Sequence, residues 1–144
     1  MSNRSVFNQV NLVVSNMDAA IAFYRLLGVD LDPSTNYWPP GSGARHIHAH
    51  PHSGAADFDL DNQAMARLWA HDALDAGAVV LGFALPNSDA VDQKYRELVE
   101  AGYAGRREPY DAFFGARYAI VDDPDGRPVG LMGPTDPKRR HIPI

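Results

Sequence analysis

The run Arg45-His46-Ile47-His48-Ala49-His50-Pro51-His52 carries four of the six histidines of the chain. In an extended chain, side chains two residues apart share a face and stand about 6.5 Å from each other. His46, His48 and His50 therefore line one side, and Ile47 and Ala49 the other. A few residues on, Asp57, Asp59 and Asp61 alternate in the same way with Phe58 and Leu60. If the two segments pair as strands with their apolar sets toward the helices, imidazoles and carboxylates meet on one side. His48, His50 and Asp59 then form a donor set of the kind that holds a divalent transition metal. One of these side chains could equally serve as a metal-free acid or base. The same pattern also reads as a polar strand face that is wet, or that lines a cleft without metal. Imidazoles titrate near neutrality, so the run is also a pH-sensitive surface.

Other chemistry is sparse. There is no Gly-rich phosphate loop and no Gly-x-Ser-x-Gly elbow. Asp122, Asp123 and Asp125 are turn formers, because a calcium loop needs more oxygens at fixed spacing. Arg106-Arg107 and Lys138-Arg139-Arg140 are short basic patches of solvated surface. Trp38, Trp69, Tyr110, Phe113, Phe114 and Tyr118 supply the aromatic walls that a small-molecule pocket requires, or ordinary packing. By parity Phe114 and Tyr118 share one face and Phe113 the other, unless a bulge intervenes.

The elements that must position these residues follow from periodicity. Phe7 to Val14 alternates as a strand, Ser15-Asn16-Met17-Asp18 supplies cap residues, and Ala19 to Leu27 has helical spacing with Gly28 as its C-cap. Val29 to Leu31 is a short strand, and Pro33 to Gly43 is a loop bearing Tyr37 and Trp38. Arg45 to Pro51 and Ala56 to Asp61 are strands, and Asn62 to Asp75 is a helical excursion. The opening pattern then returns: strand Val79 to Leu85, cap Asn87-Ser88-Asp89, helix Ala90 to Ala101, and Gly102. Tyr103 to Arg107, Phe113 to Val121 and Pro128 to Met132 are further strands, the last two joined by the turn Asp123-Pro124-Asp125-Gly126. Asp18-Ala19 and Tyr24-Arg25 recur 71 residues later as Asp89-Ala90 and Tyr95-Arg96. The repeat of element order makes the chain two modules in one domain.

Composition excludes several classes. The 144 residues are 45% hydrophobic and 22% charged, as in soluble globular domains. A net charge of −5 argues against nucleic-acid and anionic-membrane partners, which need a basic face. The absence of cysteine removes disulfides, thiolate metal sites and cysteine nucleophiles, and is compatible with a cytoplasmic location. No apolar stretch approaches the roughly 18 residues of a membrane span, and the N-terminus has no signal core.

Three segments carry a family resemblance: Asn8 to Ser15 running into Asp18 to Tyr24; Val80 to Leu85 with the helix to Gly102; and Tyr118 to Met132, which contains the Asp-Pro-Asp-Gly turn. The chain resembles the vicinal oxygen chelate superfamily, which includes glyoxalase I, extradiol dioxygenases, fosfomycin-resistance proteins and bleomycin-binding proteins. The resemblance implies an α+β fold of two βαβββ modules, at about 5–62 and 78–134, whose curled mixed sheets form a cleft. It implies a single domain over 1–144 with a loose tail at 135–144, and a homodimer. The family's metal positions fall here on Gln9, Asp59, Val80 or Gly82, and Gly130. Only Gln9 and Asp59 offer donors, too few to hold a metal, so no cofactor is expected.

The expected function is binding of a small aromatic or cationic molecule. On this reading Gln9, Asn11, Trp38, His48, Asp59, Phe114, Tyr118 and Met132 contact the ligand. The alternative is a metal-dependent lyase, isomerase or dioxygenase with a displaced site at His48, His50 and Asp59. A third reading is an accessory domain with an unused cleft.

Overall fold

A computed structural model describes residues 4–27, 29–32, 39–49, 56–70 and 74–143. Within these, the elements run β1 (Val6–Val14), α1 (Met17–Leu26), β2 (His46–His48), β3 (Asp57–Asn62), α2 (Gln63–Ala70), β4 (Val79–Ala84), α3 (Ser88–Glu100), β5 (Gly105–Asp111), β6 (Arg117–Asp122) and β7 (Pro128–Met132). Parallel and antiparallel pairings are mixed, so the class is α+β. The chain forms two compact units, Gln9–Val79 and Met1–Asn8 with Val80–Ile144.

In the first unit the strand order is β2-β3-β1, with β3 parallel to β1 and antiparallel to β2. Asn16 caps α1, its side chain accepting from the Ala19 N–H at 3.0 Å. The α1 residues Met17, Ala20, Ile21 and Tyr24 pack on Leu12, Val14, Ile47, Phe58 and Leu60 of the sheet. That face is apolar because the alternation of β2 and β3 turns Ile47, Phe58 and Leu60 toward the helix. Asn62 joins β3 to α2: its Oδ1 caps the Met65 N–H and accepts from the Arg45 N–H, both at 2.9 Å. The expected strand at Val29 to Leu31 is reduced to one antiparallel bridge, Leu31 to Ala49. Gly28 and most of the Pro33 to Gly43 loop lie outside the described residues.

The second unit repeats the plan in the order β4-β7-β6-β5, with β7 parallel to β4. Asn87 caps α3. Ala90 and Val91 of α3 pack on Leu85, Ala119, Val121 and Leu131. Residues 112–116 form a turn closed by the Ala112 N–H to Ala116 carbonyl bond, so β6 starts only at Arg117. The tail at 135–144 was expected to be loose. They are instead tied by Asp136 N–H to the Gly115 carbonyl and His141 N–H to the Phe113 carbonyl, both 2.9 Å, around a 3-10 turn at Pro137–Arg139. No described helix is long and apolar enough to cross a membrane.

Candidate functional site

The sheet face of the first unit that α1 does not cover carries the chemistry. Register places His46 opposite Asp61 and His48 opposite Asp59 across β2 and β3. It places Gln9 beside Asp57 and Asn11 beside Asp59 across β1 and β3. Alternation then puts all of these side chains on one face.

The side chains interlock as a ladder. His48 Nδ1–H donates to Asp59 Oδ1 at 2.6 Å, and His46 Nδ1–H to Asp61 Oδ1 at 2.6 Å. His46 Nε2 also stands 3.5 Å from Asp59 Oδ2, so its ring lies between two carboxylates. Gln9 Nε2 donates to Asp59 Oδ2 at 2.7 Å. Asp61 Oδ2 accepts from Asn11 Nδ2 at 2.8 Å and from the Trp69 indole of α2 at 2.9 Å. All four carboxylate oxygens of Asp59 and Asp61 are therefore engaged.

Burial gives these contacts their weight. Asp59 is 5% exposed and Asp61 1%. A buried carboxylate is costly unless hydrogen-bonded or paired. Among the described residues no Lys or Arg ion pair reaches Asp57, Asp59 or Asp61, while imidazoles stand against Asp59 and Asp61. The hydrogen bond to Asp59 raises the His48 pKa against the opposing effect of burial, and the charges of Asp59 and Asp57 add to the rise. Burial raises the Asp57 carboxyl, with His48 pulling it down and Asp59 pushing it up. Asn11 Oδ1 is buried with no hydrogen-bond partner.

The second unit holds Tyr110, Phe113, Phe114 and Tyr118. Phe114 and Tyr118 meet edge to face at 5.4 Å, and Phe113 meets Phe114 at 5.3 Å. Tyr118 pairs with Met132 across β6 and β7. Phe113 is buried, as the core-face expectation has it, although residues 112–116 turn before β6 begins. Arg107 stacks over Tyr110, 3.5 Å from the ring centroid. Burial pushes the Tyr110 phenol up to about 12 despite Arg107, so it is a neutral donor near pH 7.

The metal positions implied by the family resemblance do not fit a metal. Gly82 and Gly130 are partners across β4 and β7 and have no side chain to offer. Val80 is buried. Gln9 turns its amide nitrogen, a donor, toward Asp59. In the displaced set, His48 and Asp59 bond to each other, and His50 lies outside the described residues. Among the described residues no group of three or more His, Asp or Glu side chains is arranged to hold a metal ion.

The family model for the Glyoxalase/Bleomycin resistance protein/Dioxygenase superfamily matches residues 6–131. The chain belongs to this superfamily. Comparison with curated proteins finds no match. Solved structures share its fold. A hypothetical protein from Bacillus halodurans C-125 superposes with a TM-score of 0.66 at 13% identity, covering 92% of this chain and 96% of that one. Methylmalonyl-CoA epimerase from Mycobacterium tuberculosis gives 0.59 at 20%, covering 90% and 88%. A trihydroxybiphenyl dioxygenase from Sphingomonas wittichii gives 0.59 at 18%, covering 89% of this chain but 42% of its own.

Set in this superfamily, the expected ligand residues divide in two. Gln9, Asn11, His48 and Asp59 come together on the first unit's face. Phe114, Tyr118 and Met132 sit in the second unit. Trp38 lies outside the described residues. Sequence reasoning left His46, Asp61 and Trp69 out of the ligand set. The parity of His46 and Asp61 was visible, but the bond from Trp69 is a tertiary contact between α2 and β3.

Proposed function

We propose that this superfamily member binds a small organic cation without a metal, through the face carrying Gln9, Asn11, His46, His48 and Asp59. The observation that carries the reading is the charge balance of the face. Three carboxylates stand beside two imidazoles and no Lys or Arg ion pair among the described residues. A positively charged guest compensates that excess, and the net charge of −5 favours its approach. Asn11 Oδ1 points to the same class, since a buried acceptor without a donor costs about 1–3 kcal/mol. An ammonium or amidinium N–H would relieve that cost. With the carboxylate oxygens already engaged by protein donors, the face is organised for hydrogen bonding rather than chelation.

A thermal-shift screen of aromatic amines against uncharged alcohols of the same shape, with chelator present, tests this. Amines are expected to stabilise the protein and their alcohol counterparts not. Stabilisation that appears only with added metal, or no stabilisation by any amine, contradicts the reading.

The His48–Asp59 bond favours a second reading, catalysis on the same face. A carboxylate on Nδ1 fixes the imidazole tautomer and orientation, as around catalytic and metal-ligating histidines. That reading predicts a lyase, isomerase or dioxygenase activity abolished in His48→Ala. Unchanged turnover in that variant removes His48 from any mechanism.

A further inference from the structure

Three carboxylates share the polar face of the first unit, and two of them are fully engaged. Asp59 and Asp61 accept from Gln9, Asn11, Trp69 and the two imidazoles. Asp57 differs. It stands two residues before Asp59 in β3, so alternation keeps it on the same side of the sheet. Among the described residues it makes no hydrogen bond and no ion pair. Gln9 is its register partner across β1 and β3, yet the Gln9 amide turns to Asp59 instead. The Nδ1–H of His48 goes to Asp59 as well.

A half-buried carboxylate without a partner is out of keeping with this face. Burial makes its charged form costly, and His48 pulls only partly the other way. Polar groups in a folded chain rarely stay unsatisfied without a role.

We propose, resting on the cation reading above, that Asp57 grips the charge of the guest, and that the guest offers it a forked pair of N–H donors, as an amidinium or guanidinium does. Two observations select this residue and this class. The first is acceptor supply. Both Asp57 oxygens lack a donor among the described residues, whereas all four on Asp59 and Asp61 have one. Two parallel N–H···O bonds therefore fit at Asp57 and not at its neighbours. A planar fork is also more weakly hydrated than an ammonium, so it loses less on meeting a half-buried carboxylate. The second is Asn11 Oδ1, another acceptor without a donor, on a residue 8% exposed. Asn11 lies two residues along β1 from Gln9, beside Asp59. Two unsatisfied acceptors on one face call for a guest rich in donors. A quaternary ammonium has none.

Calorimetric titration of benzamidine, benzylamine and trimethylphenylammonium into the full chain, with chelator present, tests this. Wild type should bind benzamidine tightest, and trimethylphenylammonium about tenfold more weakly or worse. Asp57→Asn should weaken benzamidine about tenfold or more and remove its lead over trimethylphenylammonium. Asp57→Glu should keep part of the affinity. The melting temperature of the free Asp57→Asn protein should not fall, because the substitution breaks no bond within the described residues. Asp59→Asn should lower it, because the bonds from His48 and Gln9 are disturbed. Benzamidine bound equally by wild type and Asp57→Asn overturns the role of Asp57 and leaves the cation reading standing. A melting temperature lowered as far by Asp57→Asn as by Asp59→Asn overturns it too. Benzylamine or trimethylphenylammonium bound by wild type as tightly as benzamidine overturns the forked class. Binding of none of the three overturns the cation reading, and the role of Asp57 falls with it.

Discussion

The Tyr118 hydroxyl occupies the space into which a side chain at position 130 would grow. A Cβ built on Gly130 would stand 2.6 Å from that oxygen and 3.1 Å from two carbons of the ring. Tyr118 in turn is packed edge to face against Phe114 and Tyr110. The position that the superfamily resemblance assigns to an acidic metal ligand is thus closed by a packed phenol, not merely missing a carboxylate.

Gly130→Ala should therefore destabilise the protein by about 1–3 kcal/mol, the range for overpacking. Tyr118→Phe should recover part of that cost, because the nearest clash is with the hydroxyl. Urea unfolding of both single variants and the double variant reads the coupling. Additive effects would mean that Tyr118 moves aside freely.

Stability should fall as pH rises through the neutral range. The bond to Asp59 holds the folded His48 pKa above its ordinary value of 6.5. A group that binds its proton more tightly when folded stabilises fully below its unfolded pKa. That contribution is lost as pH rises through the folded value. Melting temperatures between about pH 6 and pH 8 should decline, and His48→Gln should decline less. Equal slopes in the two proteins would contradict the role given to His48.

Asp61 should be among the least replaceable polar residues. Asp61→Ala leaves three buried or half-buried donors, on Asn11, Trp69 and His46, without their acceptor. The expected loss is about 3 kcal/mol or more. Asp61→Asn keeps the shape and should cost less. Trp69 fluorescence should shift in both variants, since its indole loses a charged acceptor. Unfolding midpoints and emission spectra check the two expectations together.

Much of the fold was legible because alternation and capping are local. The polar and apolar parities of His46 to His48 and Asp57 to Asp61 put the right side chains on the right face. Asn16 and Asn87 marked the starts of α1 and α3. What local pattern could not carry was tertiary. Phe113 is buried as its parity expects, but residues 112–116 turn rather than extend, so β6 starts only at Arg117. Of the strand expected at Val29 to Leu31, the described residues show one bridge, Leu31 to Ala49. A basic, proline-bearing tail reads as loose, yet backbone bonds to Phe113 and Gly115 hold it. Within the site, His48 and Asp59 were visible as candidates. The bridging place of His46 depends on the β2–β3 register, and Asp61 gains a partner from Trp69 of α2.

Metal-free recognition is tested most directly by calorimetric titration of the strongest amine from the screen into wild type and Asp59→Asn, each with and without chelator. Binding should be unchanged by chelator and weakened about tenfold or more by Asp59→Asn, a loss of about 1.4 kcal/mol. Binding abolished by chelator, or equal in the two proteins, would contradict metal-free recognition by the histidine–aspartate face.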